Sequence, residues 1–287
     1  MKNSLTAILT LFCFAIVAAI QLLFDGNNEY RNFKTIQSPD LRFVVMADIQ
    51  LGYAANDKNL VYEARRFKRA IRAANALQPA FVIVIGDMIN IPADAHQTAH
   101  FKRIAAQLDP AIPLYIAAGN HEVGDEPTPR LLQWYRDTFG DDWYAFKADS
   151  LHAIVLNSNI MHHPNAVPNE ADKQLAWLTN ELLHTTEKRS TQLIIFQHHP
   201  LYTKEPTEDE SYYNLPMPIR QQYMRLYEKF AVDAVFAGHY HRYSVGRENP
   251  YKMVTSGAVG RPQGKGQSGF MVVDIVNGEI TQRYVPL

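Results

Sequence analysis

Residues 81–87 read FVIVIGD, and the way this stretch ends decides what kind of fold the chain has. The apolar, mostly β-branched run 81–85 fits a strand buried on both faces, as in a parallel sheet covered by helices. Gly86 then lets the backbone turn tightly and aims the Asp87 carboxylate across the sheet edge. The same construction recurs on both sides of it. The run 42–47 ends in Asp48 and Gln50, 114–118 in Asn120 and His121, 193–196 in His198, and 232–237 in His239 and His241. Ligand-binding residues of α/β proteins collect where parallel strands end and loops begin, so these five strand ends predict one shared site.

Between the strands the apolar period changes from two to about 3.6. Leu60, Ala64, Phe67, Ile71 and Ala74 recur at helical spacing, with Asn59 placed to cap the helix. The segment after Ala95 is again helix-like, and a further helix is expected to start at Thr128 with Pro129 at its first position. Residues 144–148 and 153–156 read as paired strands, 173–183 and 219–230 as helices, and 252–285 as strand and glycine. Alternating β and α elements before a β-rich tail imply stacked sheets with helices outside, in a single domain from residue 41 to 287. Two longer loops, 161–169 and 204–218, stand ready to shape a binding site.

A chain of 287 residues can bury a large core, and its formal charge of -1 gives no general attraction to nucleic acid. Arg65, Arg66, Lys68, Arg69 and Arg72 crowd one segment but read as the wet face of a helix. Lys2 precedes a nearly uncharged apolar stretch, 5–24, with Asp25 and Glu29 beyond it. This is an export segment, either a signal peptide cleaved near Val17-Ala18-Ala19 or a membrane anchor, followed by a linker over 25–40. The expected address is periplasmic or otherwise extracytoplasmic, with membrane contact only through this segment. Cys13 is the only cysteine, so no internal disulfide can form.

Each site candidate has a plainer reading. Asp48 alone is an ordinary turn residue past a strand, and a histidine after a buried strand, such as His198 or His199, is often structural. Gly119-Asn120-His121-Glu122 is harder to dismiss, because a simple turn does not require an amide oxygen beside an imidazole. Gly238-His239-Tyr240-His241 sets two imidazoles at alternate positions, where extended backbone projects both to one side. Taken in order with Asp87, these motifs resemble the calcineurin-like metallophosphoesterase superfamily, whose pattern runs D-x-H, G-D, G-N-H-[DE], H, G-H-x-H. Gly119 to Gly124, Leu156-Asn157-Ser158, Phe196-Gln197-His198, Tyr212-Tyr213-Asn214-Leu215 and Gly238 to Arg242 are similar to the family of calcineurin-like phosphoesterase domain-containing protein 1. Gln50 stands where the superfamily usually has histidine, a substitution shared by that family.

The resemblance implies an α/β/β/α sandwich of two mixed sheets flanked by helices, and two divalent metal ions, manganese, iron, magnesium or zinc. Asp48, Asp87, His241 and Gln50 would hold the first ion; Asp87, Asn120, His198 and His239 the second, with Asp87 the bridge. A glutamine oxygen favours manganese or magnesium over zinc. The implied reaction is phosphomonoester hydrolysis by water activated between the ions, with His121 as proton donor and Glu122 orienting it or tuning its pKa. The chain has no P-loop, in keeping with hydrolysis and not kinase-type transfer. Substrates would be phosphorylated small molecules or proteins, phosphoserine and phosphothreonine included, with Asn157, Tyr212, Tyr240, Arg242 and Arg261 on the substrate side. Two other readings use the same residues: a phosphodiesterase or nucleotidase, and a metal-binding envelope module with little turnover.

Overall fold

The computed structural model describes residues 39–186, 192–247 and 250–287, so the expected export segment and nearly all of the linker lie outside the described residues. The strands are β1 (Leu41–Met46), β2 (Phe81–Ile85), β3 (Leu114–Ala117), β4 (Tyr144–Ala148), β5 (Leu151–Val155), β6 (Gln192–Phe196), β7 (Ala234–Ala237), β8 (Ser244–Val245), β9 (Lys252–Thr255), β10 (Gly269–Val276) and β11 (Glu279–Pro286). The helices are α1 (Val61–Leu77), α2 (Ala95–Ala105), α3 (Asn120–Val123), α4 (Pro129–Phe139), α5 (Ser158–His162), α6 (Pro168–Thr186) and α7 (Met217–Lys229).

The strands form a five-stranded sheet, β11-β10-β1-β2-β3, and a six-stranded sheet, β4-β5-β6-β7-β9-β8. Both are mixed. In the first, β1, β2 and β3 run parallel while β10 pairs with β1 antiparallel. In the second, β5, β6, β7 and β9 are parallel and β4 and β8 antiparallel.

Alternation along β1 and β2 shows why their sequences are apolar throughout. Phe43, Val45, Phe81 and Ile83 turn into the space between the sheets and meet Phe196 and Phe236 there. Phe43 stacks on Phe81 at 4.8 Å and presents its edge to Phe196 and Phe236 at 5.8 Å each. Val44, Met46, Val82 and Val84 face the opposite way, onto Phe67 and Ile71 of α1, Phe101 of α2 and Leu132 of α4. On the second sheet, Ile154, Ile195 and Val235 pack under Leu178 of α6 and Tyr223 and Tyr227 of α7. The result is the four-layered α/β/β/α sandwich that the resemblance implied.

Local signals mark most element ends. The Thr128 side chain accepts from the Leu131 N–H and Pro129 opens α4. Leu60, not Asn59, is the N-cap of α1, although Asn59 Oδ1 accepts from the Val61 N–H. The helix expected over 173–183 begins at Pro168, and the loop expected over 161–169 contains the end of α5 and a 3-10 turn at Pro164–Ala166.

Candidate metal centre

The parallel strands β1, β2, β3, β6 and β7 all point their C-terminal ends at one edge of the sandwich, and the candidate ligands sit on the turns that follow. Five of them hold left-handed backbone despite having side chains: Asp48 (φ 52°), Gln50 (45°), Asp87 (55°), His239 (66°) and His241 (54°). Each such residue costs about 1–3 kcal/mol and persists only where its surroundings over-determine it. Two glycines let the strand ends approach. A Cβ on Gly86 would lie 2.4 Å from His198 Nδ1, and one on Gly119 would lie 2.2 Å from Asp87 Oδ1.

Two buried groups of ligand atoms result, Asp87–His198–His239 and Asp48–Asp87–His241, each with all atoms within 4.8 Å of one another. Asp87 belongs to both. The far nitrogen of every imidazole in these groups is spent on a backbone carbonyl. His198 Nδ1–H donates to Ile85 O at 2.9 Å, His239 Nε2–H to Tyr212 O at 2.9 Å, and His241 Nδ1–H to Arg261 O at 2.7 Å. Such bonds fix the tautomer and turn the other nitrogen's lone pair inward.

The inward atoms are acceptors crowded together. His198 Nε2 lies 3.0 Å from Asn120 Oδ1 and 3.3 Å from Asp87 Oδ1, and His241 Nε2 lies 3.6 Å from Asp48 Oδ1. Asp48 Oδ2 and Gln50 Oε1 are buried without a hydrogen-bond partner. Lone pairs and carboxylates this close repel unless a proton or cation lies among them, so the donor set fits two divalent ions with Asp87 between. Mixed oxygen and nitrogen ligands suit first-row transition metals and magnesium.

The titration behaviour carries the same message. Burial alone would lower His198, but Asp87 beside it raises it to about 9, so that without a metal a proton takes the place between them. Burial works to raise Asp87, yet His198 and His121 hold it well below the ordinary carboxylate range. Burial pushes Asp48 up, helped by the Asp87 charge. Burial and neighbouring His198 push His239 down to about 3, which keeps it neutral and able to ligate.

His121 stands beside this cluster with both ring nitrogens engaged. Its Nδ1–H donates to Asn90 O at 2.6 Å, and its Nε2 accepts from the Gln50 amide at 2.7 Å. Burial would lower its pKa, but the Asp87 charge and the Asn90 carbonyl raise it. Gln50 therefore turns its nitrogen to His121 and leaves its oxygen free. Glu122 makes no hydrogen bond to His121, so of its two expected roles, orienting that ring or tuning its pKa, the geometry favours the second. Its fully buried carboxylate accepts from the N–H groups of Asp87, Gly119, Met88 and Ile89 at 2.8–3.1 Å, clamping the ends of β2 and β3 together. Glu122 reaches His121 only through its charge. Burial and Asp87 raise its carboxyl to about 7 against those four donors.

The residues expected on the substrate side divide. Asn157 is corrected: it is wholly buried at the start of α5, its Oδ1 accepts from the Asn159 N–H, and its Nδ2 donates to Asp142. Tyr212, 55% exposed, stands at the mouth of the site with its ring 4.7 Å from that of His239. The Arg242 guanidinium lies over the Tyr240 ring at 5.3 Å and that of Arg261 over Tyr53 at 5.6 Å. Sequence reasoning missed Tyr53, whose ring packs edge-on to His241 at 5.7 Å, and the carbonyls of Ile85, Asn90, Tyr212 and Arg261. A carbonyl leaves no side-chain signal. Of the two adjacent histidines, His198 joins the ligand group as expected, whereas His199 Nδ1 and N–H are both bonded to the Ser158 hydroxyl.

Residues 41–243 match the family described as calcineurin-like phosphoesterase. The chain is 33% identical over 228 residues to a serine/threonine-protein phosphatase, CPPED1, of Danio rerio, covering 77% of this chain and 74% of the relative. It is 33% identical over 232 residues to the protein of that name from Homo sapiens, covering 78% and 74%. Among solved structures, a dimetal phosphatase from Danio rerio shares the fold with a TM-score of 0.62 at 17% identity, over 87% of this chain and 97% of that one. A purple acid phosphatase from yellow lupin seeds does so at 0.64 and 16%, over 87% and 52%.

Proposed function

The chain belongs to the calcineurin-like phosphoesterase family and is a metal-dependent phosphatase, and from that premise we propose that it hydrolyses phosphomonoesters, phosphoserine and phosphothreonine side chains among them, at a centre of two divalent ions. One observation carries the reading: two buried ligand groups share Asp87 and leave it the natural bridge. The pair of ions, when bound, lowers the pKa of a water held between them and offsets charge on the phosphoryl oxygens.

The chain's own residues supply the rest. Asp87, placed below the ordinary carboxylate range, is ionised whenever the centre assembles. The carbonyls behind His198, His239 and His241 keep those rings from turning. His121 is the proton donor to the departing alkoxide. Its Nδ1–H stays on Asn90 O; the donating form is the imidazolium, in which Nε2 also carries a proton and no longer accepts from the Gln50 amide, and the leaving oxygen takes the proton from Nε2. The P–O bond to the alcohol breaks as the P–O bond from water forms, and the one proton the water gives up on becoming hydroxide restores the imidazole's charge, its other hydrogen staying on the phosphate product.

The serine/threonine specificity is supported by the names of the CPPED1 relatives. The protein loaded with Mn²⁺ or Mg²⁺ is expected to release phosphate from p-nitrophenyl phosphate and from phosphoserine and phosphothreonine peptides, and to act at least tenfold more slowly on bis(p-nitrophenyl) phosphate. Faster cleavage of the diester overturns the monoester reading. Binding of two ions with no turnover of any ester returns the protein to a metal-binding module. An extracytoplasmic address is proposed as well, supported by Lys2 ahead of the apolar run 5–24; recovery of the tagged full-length chain in the cytoplasmic fraction would exclude it.

A further inference from the structure

Of the four ligands of the second ion, two are set by a single residue that lies outside every strand. Tyr212 belongs to the segment 204–216, which runs over the surface between β6 and α7. Its carbonyl accepts from His239 Nε2–H at 2.9 Å, which makes Nδ1 the ligating nitrogen. Its hydroxyl accepts from Asn120 Nδ2 at 3.3 Å, and Asp125 Oδ1 accepts from the same nitrogen at 2.8 Å. The amide is thereby turned so that Oδ1 faces His198 Nε2. Among the described residues no hydrogen bond runs from this segment to the ligating side chains of Asp48, Gln50 or His241; the His241 ring is set by Arg261 O, and the segment comes no nearer than the Tyr213 hydroxyl on Gln263, whose N–H bonds the His241 carbonyl.

The segment is exposed yet firmly held from beneath. Arg220, a fully buried side chain of α7, donates to the carbonyls of Pro206 at 3.2 Å, Glu208 at 2.6 Å and Leu215 at 3.0 Å. The Glu208 carboxylate accepts from the N–H groups of Thr203 and Lys204 and from Asn214 Nδ2 at 2.7–2.8 Å. A buried guanidinium satisfied only through loop carbonyls loses its partners unless the loop keeps its shape.

We propose that the segment 204–216 is a built-in part of the second metal site, with Tyr212 as the positioning residue for His239 and Asn120 and Arg220 as the anchor that holds Tyr212 in place. The two sites are therefore unequal in what maintains them. Anything that displaces this surface segment weakens the second site and leaves the first alone. The inference rests on the dinuclear reading above.

Calorimetric titration of Mn²⁺ into the chelator-stripped full-length chain tests it, with electron paramagnetic resonance reporting the coupled manganese pair. Arg220→Met is expected to weaken the second binding event about tenfold to a hundredfold, the usual effect of removing a group that orients a metal ligand, and to leave the first event unchanged. Tyr212→Phe removes only the bond to Asn120, so a smaller loss of about threefold at the same event is expected, scaled down from that range. The coupled-pair signal should fade at Mn²⁺ concentrations that still saturate the wild type. Equal weakening of both events, or unchanged affinities in a folded variant, overturns the inference alone. Fewer than two ions on the wild type overturns the dinuclear reading together with it. Should Arg220→Met fail to fold, Tyr212→Gly keeps the anchor, frees the carbonyl, and must show the same selective loss.

Discussion

At the scale of single residues, what the sequence revealed depends on how far away each partner lies. Gly86-Asp87, Gly119-Asn120-His121 and Gly238-His239-Tyr240-His241 announce themselves because spacing and glycine are local facts. Glu122 and Asn157 misled because the N–H groups of Asp87, Met88 and Ile89 and the carboxylate of Asp142 reach them only through folding. Asp87→Asn should abolish binding of both ions, read as metal content below one per chain. His121→Ala should retain both ions and lower turnover by about 10²–10⁴-fold on an alkyl phosphate, and by much less on p-nitrophenyl phosphate, whose leaving group needs no proton. Equal losses on the two esters would take the proton-donor role from His121. Gly119→Ala should also destroy metal binding while the chain stays folded, since its Cβ would enter the space of Asp87 Oδ1 and backbone N, 2.2 and 2.3 Å away. A Gly119→Ala protein with normal metal content would refute that close approach.

At the scale of elements, strands were legible because burial on both faces leaves little but Val, Ile and Phe in 81–85 and 193–196. The start of α6 was not, because its early residues Asn169, Glu170 and Asp172 carry no apolar stripe and Glu170 is held instead by Arg136 and Lys173. The cap of α4 is a local device and should behave as one: Thr128→Ala is expected to cost about 1 kcal/mol in denaturant unfolding. Helix α5 introduces a pH dependence of its own. Burial and the adjacent His163 push His162 down to about 4 from an ordinary 6.5. The folded state thus prefers the neutral ring, while the unfolded chain takes up a proton as pH falls through 6.5. Stability from this group is complete above pH 6.5 and is lost progressively towards pH 4. His162→Gln should flatten that part of the unfolding midpoint against pH, and an unchanged slope would remove His162 as its source.

At the scale of the whole molecule, the centre is assembled from both sheets: Asp48, Asp87 and Asn120 follow strands of the first, His198, His239 and His241 strands of the second. Bound ions therefore tie the two layers together, and binding to the folded state alone adds about 4 kcal/mol per site at a thousandfold excess over Kd. Stripping them with a chelator should lower Tm on the order of 10 °C in a domain of this size, with recovery on adding Mn²⁺; an unaltered Tm would mean that the layers do not depend on the ions. The backbone bond from the His239 N–H to Asp48 spans 191 residues of sequence. During synthesis the amino-terminal ligands leave the ribosome long before their partners, and the carbonyl that orients His241, at Arg261, leaves later still. The first ion's site is consequently among the last features the chain can complete, and a chain truncated before residue 261 carries His241 without the carbonyl that turns it.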